Sequence, residues 1–219
     1  MQFFLDTADL TDIKDLLASG MVDGVTTNPS LVAQQSGQNF LALTKDIAAM
    51  VQGPVSAEVT ATDYETMQKE ADKLVTIAKN VVIKVPLTEA GLRVCKNLTD
   101  SNHKVNVTLC FSAAQALLAA KAGATYVSVF VGRLDDIGHD GIAILDEVIQ
   151  IFRQHPDIHT KVLAASLRHV QHVVMAAKVG ADVVTMPPKI LRQMFAHPLT
   201  DKGLAAFTAD WQKTGQSIL

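Results

Sequence analysis

The chain has 219 residues, a formal net charge of −3 and a pI near 6.1, with 48% hydrophobic and 19% charged residues. That apolar fraction excludes a disordered chain and is enough for one buried core, while no run of Lys and Arg is dense enough to track nucleic acid or anionic lipid. No segment approaches the roughly 20 apolar residues of a membrane span, so a single domain over residues 1–219 acting on small molecules is expected.

The N-terminus, MQFFLDTADL, carries an acidic residue at position 6 and has no basic start, long apolar stretch or small-residue cleavage site. It does not read as a signal peptide, and a cytoplasmic protein is expected. In chain order, short apolar runs at 2–6, 23–27, 55–60, 81–85, 105–109, 125–130, 161–165 and 182–186 read as strands. Amphipathic stretches separate them. In TDYETMQKEADKLVTIAK, Met67, Ala71, Leu74 and Ala78 recur at helical spacing with charges on the other side. Local signals agree: Ser30 follows Pro29 ahead of a helix, Thr88 caps TEAGLRVC with Glu89 in the first turn, and Ser112 opens AAQALLAAKAG, which stops at Gly123. Cys95 and Cys110 have neither metal-type spacing nor a disulfide framework and read as reduced core thiols.

KAGATYVSVF and KVGADVVTMP repeat one phrase, from helix through Lys and Gly into a strand, as when a βα unit is reused. Eight such units in so short a chain predict a (β/α)8 barrel. A flavodoxin-like sheet is the runner-up, but its five strands leave the last third of the chain unexplained. After Pro198, TDKGLAAFTADWQKTG predicts an additional C-terminal helix at about 200–214, with Leu204, Phe207 and Trp211 on one side.

In a parallel barrel, inward side chains near the C-terminal strand ends face the active site, so polar residues inside apolar strands are informative. Residues two apart share a face. This alternation collects Asp6; Thr26 with Asn28; Ser56, Glu58 and Thr60; Lys84; Asn106 with Thr108; Ser128 with Phe130; and Ser166 with Arg168 on the inward side. Leu5, Val59, Val85, Val107, Val129 and Ala165 are expected to face the helices. Lys84 stands out in VVIKVP: an unpaired buried ammonium is costly, so such a site favours the neutral, nucleophilic amine. The bland alternative is a lysine that snorkels or pairs with a carboxylate.

FLDTADL, GVTTNPSL, VIKVP, NVTLCFSAAQALLAAKAGATYVSVFVGR and KVLAASLRH together resemble the transaldolase family, particularly the short subfamily shared with fructose-6-phosphate aldolases. The resemblance spans essentially the whole chain. It implies a Schiff base on Lys84, the iminium acting as electron sink for carbon-carbon cleavage. It further implies Asp6 as the base for the C4 hydroxyl, Glu58 with a water held by Thr108 as the proton shuttle, and Asn28, Asn106 and Ser128 as ligands of the dihydroxyacetone unit. Thr26 lies beside them, and Arg133, Ser166 and Arg168 match a phosphate clamp. Ordinary readings remain beside these: Asp6 as an acidic residue at a helix start, Glu58 as a static partner of Lys84, and Asn28 as a turn residue before Pro29.

Within the subfamily, the aldolases resemble one another in having glutamine at the position of Glu58 and tyrosine at that of Phe130, and they usually carry lysine at that of Arg168. The residues here are the transaldolase choices. The expected activity is therefore transfer of a dihydroxyacetone group from fructose 6-phosphate or sedoheptulose 7-phosphate to erythrose 4-phosphate or glyceraldehyde 3-phosphate, in the non-oxidative pentose phosphate pathway. The alternatives are a fructose-6-phosphate aldolase and a non-catalytic sugar-phosphate-binding barrel. The resemblance also implies a homo-oligomer, a decamer of two pentameric rings with the C-terminal helix on a neighbour. No cofactor or metal is implied. His169 and His172 read as solvent-exposed, Asp135, Asp136 and Asp140 as capping residues, and no dinucleotide fingerprint follows the first strand.

Overall fold

A computed structural model describes residues 1–35 and 37–219. Eight parallel strands run β1 (Gln2–Asp6), β2 (Gly24–Thr26), β3 (Val55–Glu58), β4 (Val81–Pro86), β5 (Val105–Cys110), β6 (Tyr126–Phe130), β7 (Lys161–Ala165) and β8 (Val183–Met186). They pair in sequence order, and β1 pairs with β8 to close the barrel. Closure rules out the open flavodoxin-like sheet, and the strands lie within two residues of the predicted runs.

The helices are α1 (Leu10–Leu17), α2 (Pro29–Ala33), α3 (Phe40–Met50), α4 (Tyr64–Leu74), α5 (Glu89–Asp100), α6 (Ala113–Lys121), α7 (Val131–Asp136), α8 (Gly141–Gln154), α9 (Val170–Val179), α10 (Pro188–Phe195) and α11 (Pro198–Lys213). Their starts follow local chemistry. Thr88 accepts from the Gly91 N–H to cap α5, and Ser112 accepts from the Gln115 N–H to cap α6, which ends before Gly123 at φ +86°. Helix α2 begins one step earlier than the Ser30 signal implies: Pro29 is its first residue, and Asn28 caps it by accepting from the Leu31 N–H.

The outward faces of the strands pack against the inward stripes of the helices. Leu5, Val25, Val85, Val107 and Val129 meet Met67, Ala71, Leu74, Val94 and Leu145 in one continuous core. Each of the Val, Leu and Met side chains among them, fully removed from water, contributes about 1.5–3 kcal/mol. Cys95 and Cys110 belong to this core, and burial pushes their thiols up to about 12 and about 11. A second, smaller cluster fills the barrel itself: Phe4, Val82, Tyr126, Leu163 and Val183, with the Phe4 and Tyr126 rings edge to face at 6.0 Å.

Ala165 belongs to this interior cluster with Phe130, and so faces inward, contrary to expectation. The phase of β7 is set by Leu163, which points in, while Val162 and Ala164 point out. Ser166 then leaves the strand in the left-handed region, φ +59°, so period-two alternation does not carry across it. Thr60 is likewise not inward. It is exposed beyond the end of β3, where its N–H and hydroxyl both donate to the Glu70 carboxylate.

Helix α11 has no buried residue; Leu204, Phe207 and Trp211 are 60%, 74% and 44% exposed. Among the described residues no helix is long and apolar enough to cross a membrane.

Candidate active site

Above the apolar plug, at the C-terminal ends of the strands, the barrel opens into a cavity of about 240 Å³. Nine of the twelve candidate residues line it: Asp6, Thr26, Asn28, Lys84, Ser128, Phe130, Arg133, Ser166 and Arg168. The remaining three stand behind its wall. Glu58 reaches Lys84 from β3, Asn106 is fully buried beneath Ser128, and Thr108 is fully buried two residues further along β5. A larger cavity of about 440 Å³ lies between α8 and β7, at the start of that strand, away from these polar ends.

Strand register produces the central contact. Lys84 is level with Glu58 on β3 and with Asn106 on β5. Only 5% exposed, Lys84 places its Nζ 2.9 Å from Glu58 Oε2 and donates to the Thr27 carbonyl at 3.0 Å. The lysine is therefore not unpaired: a carboxylate within hydrogen-bond distance offsets its desolvation and provides a place for its proton.

Asp6 is level with Thr26 on β2. The Thr26 hydroxyl lies 2.8 Å from Asp6 Oδ1 and 2.6 Å from the Thr185 hydroxyl. Burial pushes the Asp6 carboxyl above the usual carboxylate range, against the lowering pull of Lys84, the Thr26 hydroxyl and Arg133. On the far side, Ser128 donates to Asn106 Oδ1 at 2.7 Å, and Asn106 Nδ2 donates to Ser56 Oγ at 3.2 Å. Asn106 thus spends both ends of its amide on the wall, and Ser128 is its contact with the cavity. Asn28 commits its Oδ1 to capping α2 at 3.0 Å, which leaves the Nδ2 donor for the cavity. The Thr108 hydroxyl is buried without a hydrogen-bond partner among the described residues.

The rim is cationic. Helix α7 follows β6 with no linker, so Arg133 sits one turn above Phe130 with its guanidinium 4.9 Å from the ring centroid. Arg168 pairs with Asp136 at 2.6 Å, both about half exposed. Gly132 lets the two rim segments touch: a Cβ there would lie 2.0 Å from the Ser166 carbonyl oxygen and 2.8 Å from Arg168 Cγ.

Three participants escape strand-by-strand reading. Thr185 sits between Val183 and Pro187, and its phase in VVTMPP was the available signal. Thr27 contributes through its carbonyl, which side-chain type does not reveal, and Asp136 contributes through tertiary pairing. The expectation that His172 is solvent-exposed is overturned: it is buried, and its Nε2 lies 2.9 Å from Asp135 Oδ2. Two histidines at i,i+3 looked exposed because no carboxylate or cysteine lies near them in the sequence, and the carboxylate that meets His172 comes from another βα unit. Among the described residues no group of three or more His, Cys, Asp or Glu is placed to hold a metal ion.

By fold and site together, the molecule is a (β/α)8 barrel with a buried lysine-carboxylate pair at its C-terminal face and a cationic rim. The sequence matches the family described as Transaldolase/Fructose-6-phosphate aldolase over residues 3–218, and the chain belongs to that family. It is similar to a protein named probable transaldolase from Rhodospirillum centenum, 61% identical over 219 residues, covering 100% of this chain and 94% of that one. A second of the same name, from Parvibaculum lavamentivorans, is 58% identical and covered in full on both sides. Among solved structures, thiamine phosphate pyrophosphorylase from Pyrococcus furiosus superposes with a TM-score of 0.61 over 85% of each chain at 13% identity, a likeness of fold alone.

The Asp6 environment predicts a pH signature. A carboxyl whose folded-state pKa lies above its ordinary 3.8 contributes stability that is present below that value and is lost as pH rises through the folded value. Asp6→Asn should therefore be more stable than wild type at neutral pH, by about 1 kcal/mol as is common for relieved active-site charges. The gap should close as pH falls toward 3.8. Urea unfolding at a series of pH values measures it, and a gap independent of pH would contradict the assignment.

Proposed function

We propose that this protein is a transaldolase, transferring a dihydroxyacetone group between sugar phosphates through a Schiff base on Lys84. The observation that carries the reading is the Lys84–Glu58 contact of 2.9 Å, at the level of a cavity that also holds Asp6. Family membership and relatives named probable transaldolase support it.

The reaction follows from proton positions. Glu58 takes a proton from the Lys84 ammonium, and the free amine adds to the ketose carbonyl. Loss of water, with Glu58 returning a proton to the departing oxygen, leaves an iminium. The Thr108 hydroxyl, having no hydrogen-bond partner among the described residues, is available to hold the water that relays this proton. Asp6 then accepts the proton of the C4 hydroxyl as the C3–C4 bond breaks; the electron pair moves toward the iminium nitrogen, and an aldose phosphate departs. A raised pKa suits Asp6 to give that proton back when the enamine attacks a second aldehyde. Asn28, Ser128 and, through Ser128, Asn106 orient the three-carbon unit, with Thr26 holding Asp6. Arg133, Ser166 and Arg168 hold the phosphate, as suits charge-assisted donors on late-strand loops.

Transfer rather than release rests on Phe130, whose ring packs edge to face on Phe111 at 5.7 Å and offers the enamine no proton. The test is fructose 6-phosphate with and without erythrose 4-phosphate. Wild type should transfer faster than it releases dihydroxyacetone, and Phe130→Tyr should shift the ratio toward release. Equal rates in wild type, or no shift in the variant, would favour the aldolase reading.

The rim generates a second expectation. Arg133→Ala and Arg168→Ala should each lower kcat/KM for phosphorylated donors by roughly 10- to 100-fold, the scale of one hydrogen bond to a charged group at about 1.5–3 kcal/mol. Unphosphorylated ketoses should lose far less. Equal losses on both substrates would remove the phosphate from this rim.

A cytoplasmic location among phosphorylated sugars belongs to the same proposal, as does a homo-oligomer, a decamer of two pentameric rings. The exposed apolar side of α11, with Leu204, Phe207 and Trp211, supports packing on a neighbouring subunit. Solution mass should be about ten times the 23.5 kDa of one chain, and a monomer would contradict it.

A further inference from the structure

His172 is a buried titratable side chain behind the rim that carries Arg133 and Arg168, and it has no part in the chemistry above. It lies in the first turn of α9, three residues after His169, which caps that helix through its own Nδ1 at 3.3 Å from the His172 N–H. His172 Nδ1 accepts from the Arg168 backbone N–H at 3.2 Å, while Nε2 lies 2.9 Å from Asp135 Oδ2 in α7. The other Asp135 oxygen accepts from the Gly141 N–H at 2.9 Å, at the start of α8. One imidazole thus ties the loop carrying Ser166 and Arg168 to the helix carrying Arg133.

These bonds specify a tautomer. An Nδ1 that accepts carries no proton, so Nε2–H donates to Asp135 and the ring is neutral. Protonation at Nδ1 would set a hydrogen against the Arg168 N–H and break the tie. The charged and titratable groups facing the ring are Asp135 from α7, Arg168 from the loop and His169, whose ring centroid is 3.8 Å away. Burial chiefly, then His169, pushes the imidazole below its ordinary value, with Arg168 adding to this and Asp135 opposing it. The neutral form therefore prevails at neutral pH.

We propose that His172 is a positioning residue that sets the spacing of Arg133 and Arg168 for the phosphate group of a sugar phosphate. This rests on the reading of the two arginines as the phosphate site. His172 acts through Arg168 and Asp135 and need not touch substrate. Nothing in the strand chemistry requires a buried imidazole here; what it adds is a buried tie between two βα units that are otherwise joined at the rim by the half-exposed Arg168–Asp136 pair and the Gly132 contact. Gly132 presses the same two segments together, so a shift of either one alters the distance between the guanidinium groups.

Two conservative variants separate the bonds. His172→Asn keeps an acceptor near the Nδ1 position and loses the donor to Asp135; His172→Gln keeps a donor near Nε2 and loses the acceptor for Arg168. His172→Ala removes both. KM for fructose 6-phosphate should rise roughly tenfold in His172→Ala, about 1.4 kcal/mol of binding, with less in each conservative variant. kcat should change less than twofold, and unphosphorylated fructose should be nearly indifferent. In wild type, KM for the phosphorylated donor should climb only at pH values lower than the ordinary histidine value of about 6.5, because the imidazole is pushed down from there. His172→Asn should retain only the part due to the second ionisation of the phosphate itself, near pH 6.

Superposable pH profiles in wild type and His172→Asn would overturn the proposal, as would equal losses on phosphorylated and unphosphorylated donors. If His172→Ala fails to fold, the Asn and Gln variants decide by the same comparisons. The failures are distinguishable: if the arginine variants discriminate against phosphate and the His172 variants do not, the proposal alone falls. If the arginine variants do not discriminate either, the phosphate reading falls with it.

Discussion

The structure is organised around one costly contact, the buried ion pair between Lys84 and Glu58. Removing two charges from water costs several kcal/mol each, and their attraction offsets this only with good geometry and further hydrogen bonds. The 2.9 Å separation and the Thr27 carbonyl at 3.0 Å supply both. Such a pair is a poor means of stabilising a barrel, since apolar residues of the same volume would do as well or better. Its presence at the end of VVIKVP, above a plug of Phe4, Val82, Tyr126, Leu163 and Val183, is what the proposed mechanism asks for, a nucleophile held beside its base. The register of β3, β4 and β5 places the two residues level before any side chain adjusts.

Outside that pair, different physics governs different depths. The middle layer holds two hydrogen-bonded chains: Ser56, Asn106 and Ser128 on one side, Asp6, Thr26 and Thr185 on the other. Each member restrains a neighbour's rotamer, which is how a site keeps its geometry without substrate. The rim, by contrast, is exposed, and Arg168 is shared with Asp136. On the proposed reading, a bound phosphate would have to compete with that carboxylate, in a wetter, more adjustable setting than the one around Lys84. The tie through His172 lends order to this outer layer.

Most of the barrel was legible because two periodicities suffice for it. Apolar runs bounded by turn residues located the eight strands, and Thr88 and Ser112 announced their helices correctly. Alternation then gathered Asp6, Lys84, Asn106, Ser128 and Phe130 on the inside, where the structure has them. It failed where the chain stops being a strand. Ser166 adopts a left-handed conformation, which put Ala165 on the wrong face, and Thr60 lies past the last residue of β3. His172 and Asp136 were illegible for another reason: each meets a partner more than thirty residues away, and no local pattern encodes such a meeting. The assignment of roles leaned on resemblance, because a polar inward residue announces a site without saying what it does there.

The most direct test of the central claim is to trap the covalent bond. Borohydride reduction in the presence of fructose 6-phosphate, followed by peptide mass spectrometry, should find a three-carbon adduct on Lys84 and none in Lys84→Ala, which should also lose transfer activity. An adduct on a different lysine, or a Lys84→Ala protein that still transfers at the wild-type rate, would contradict the account.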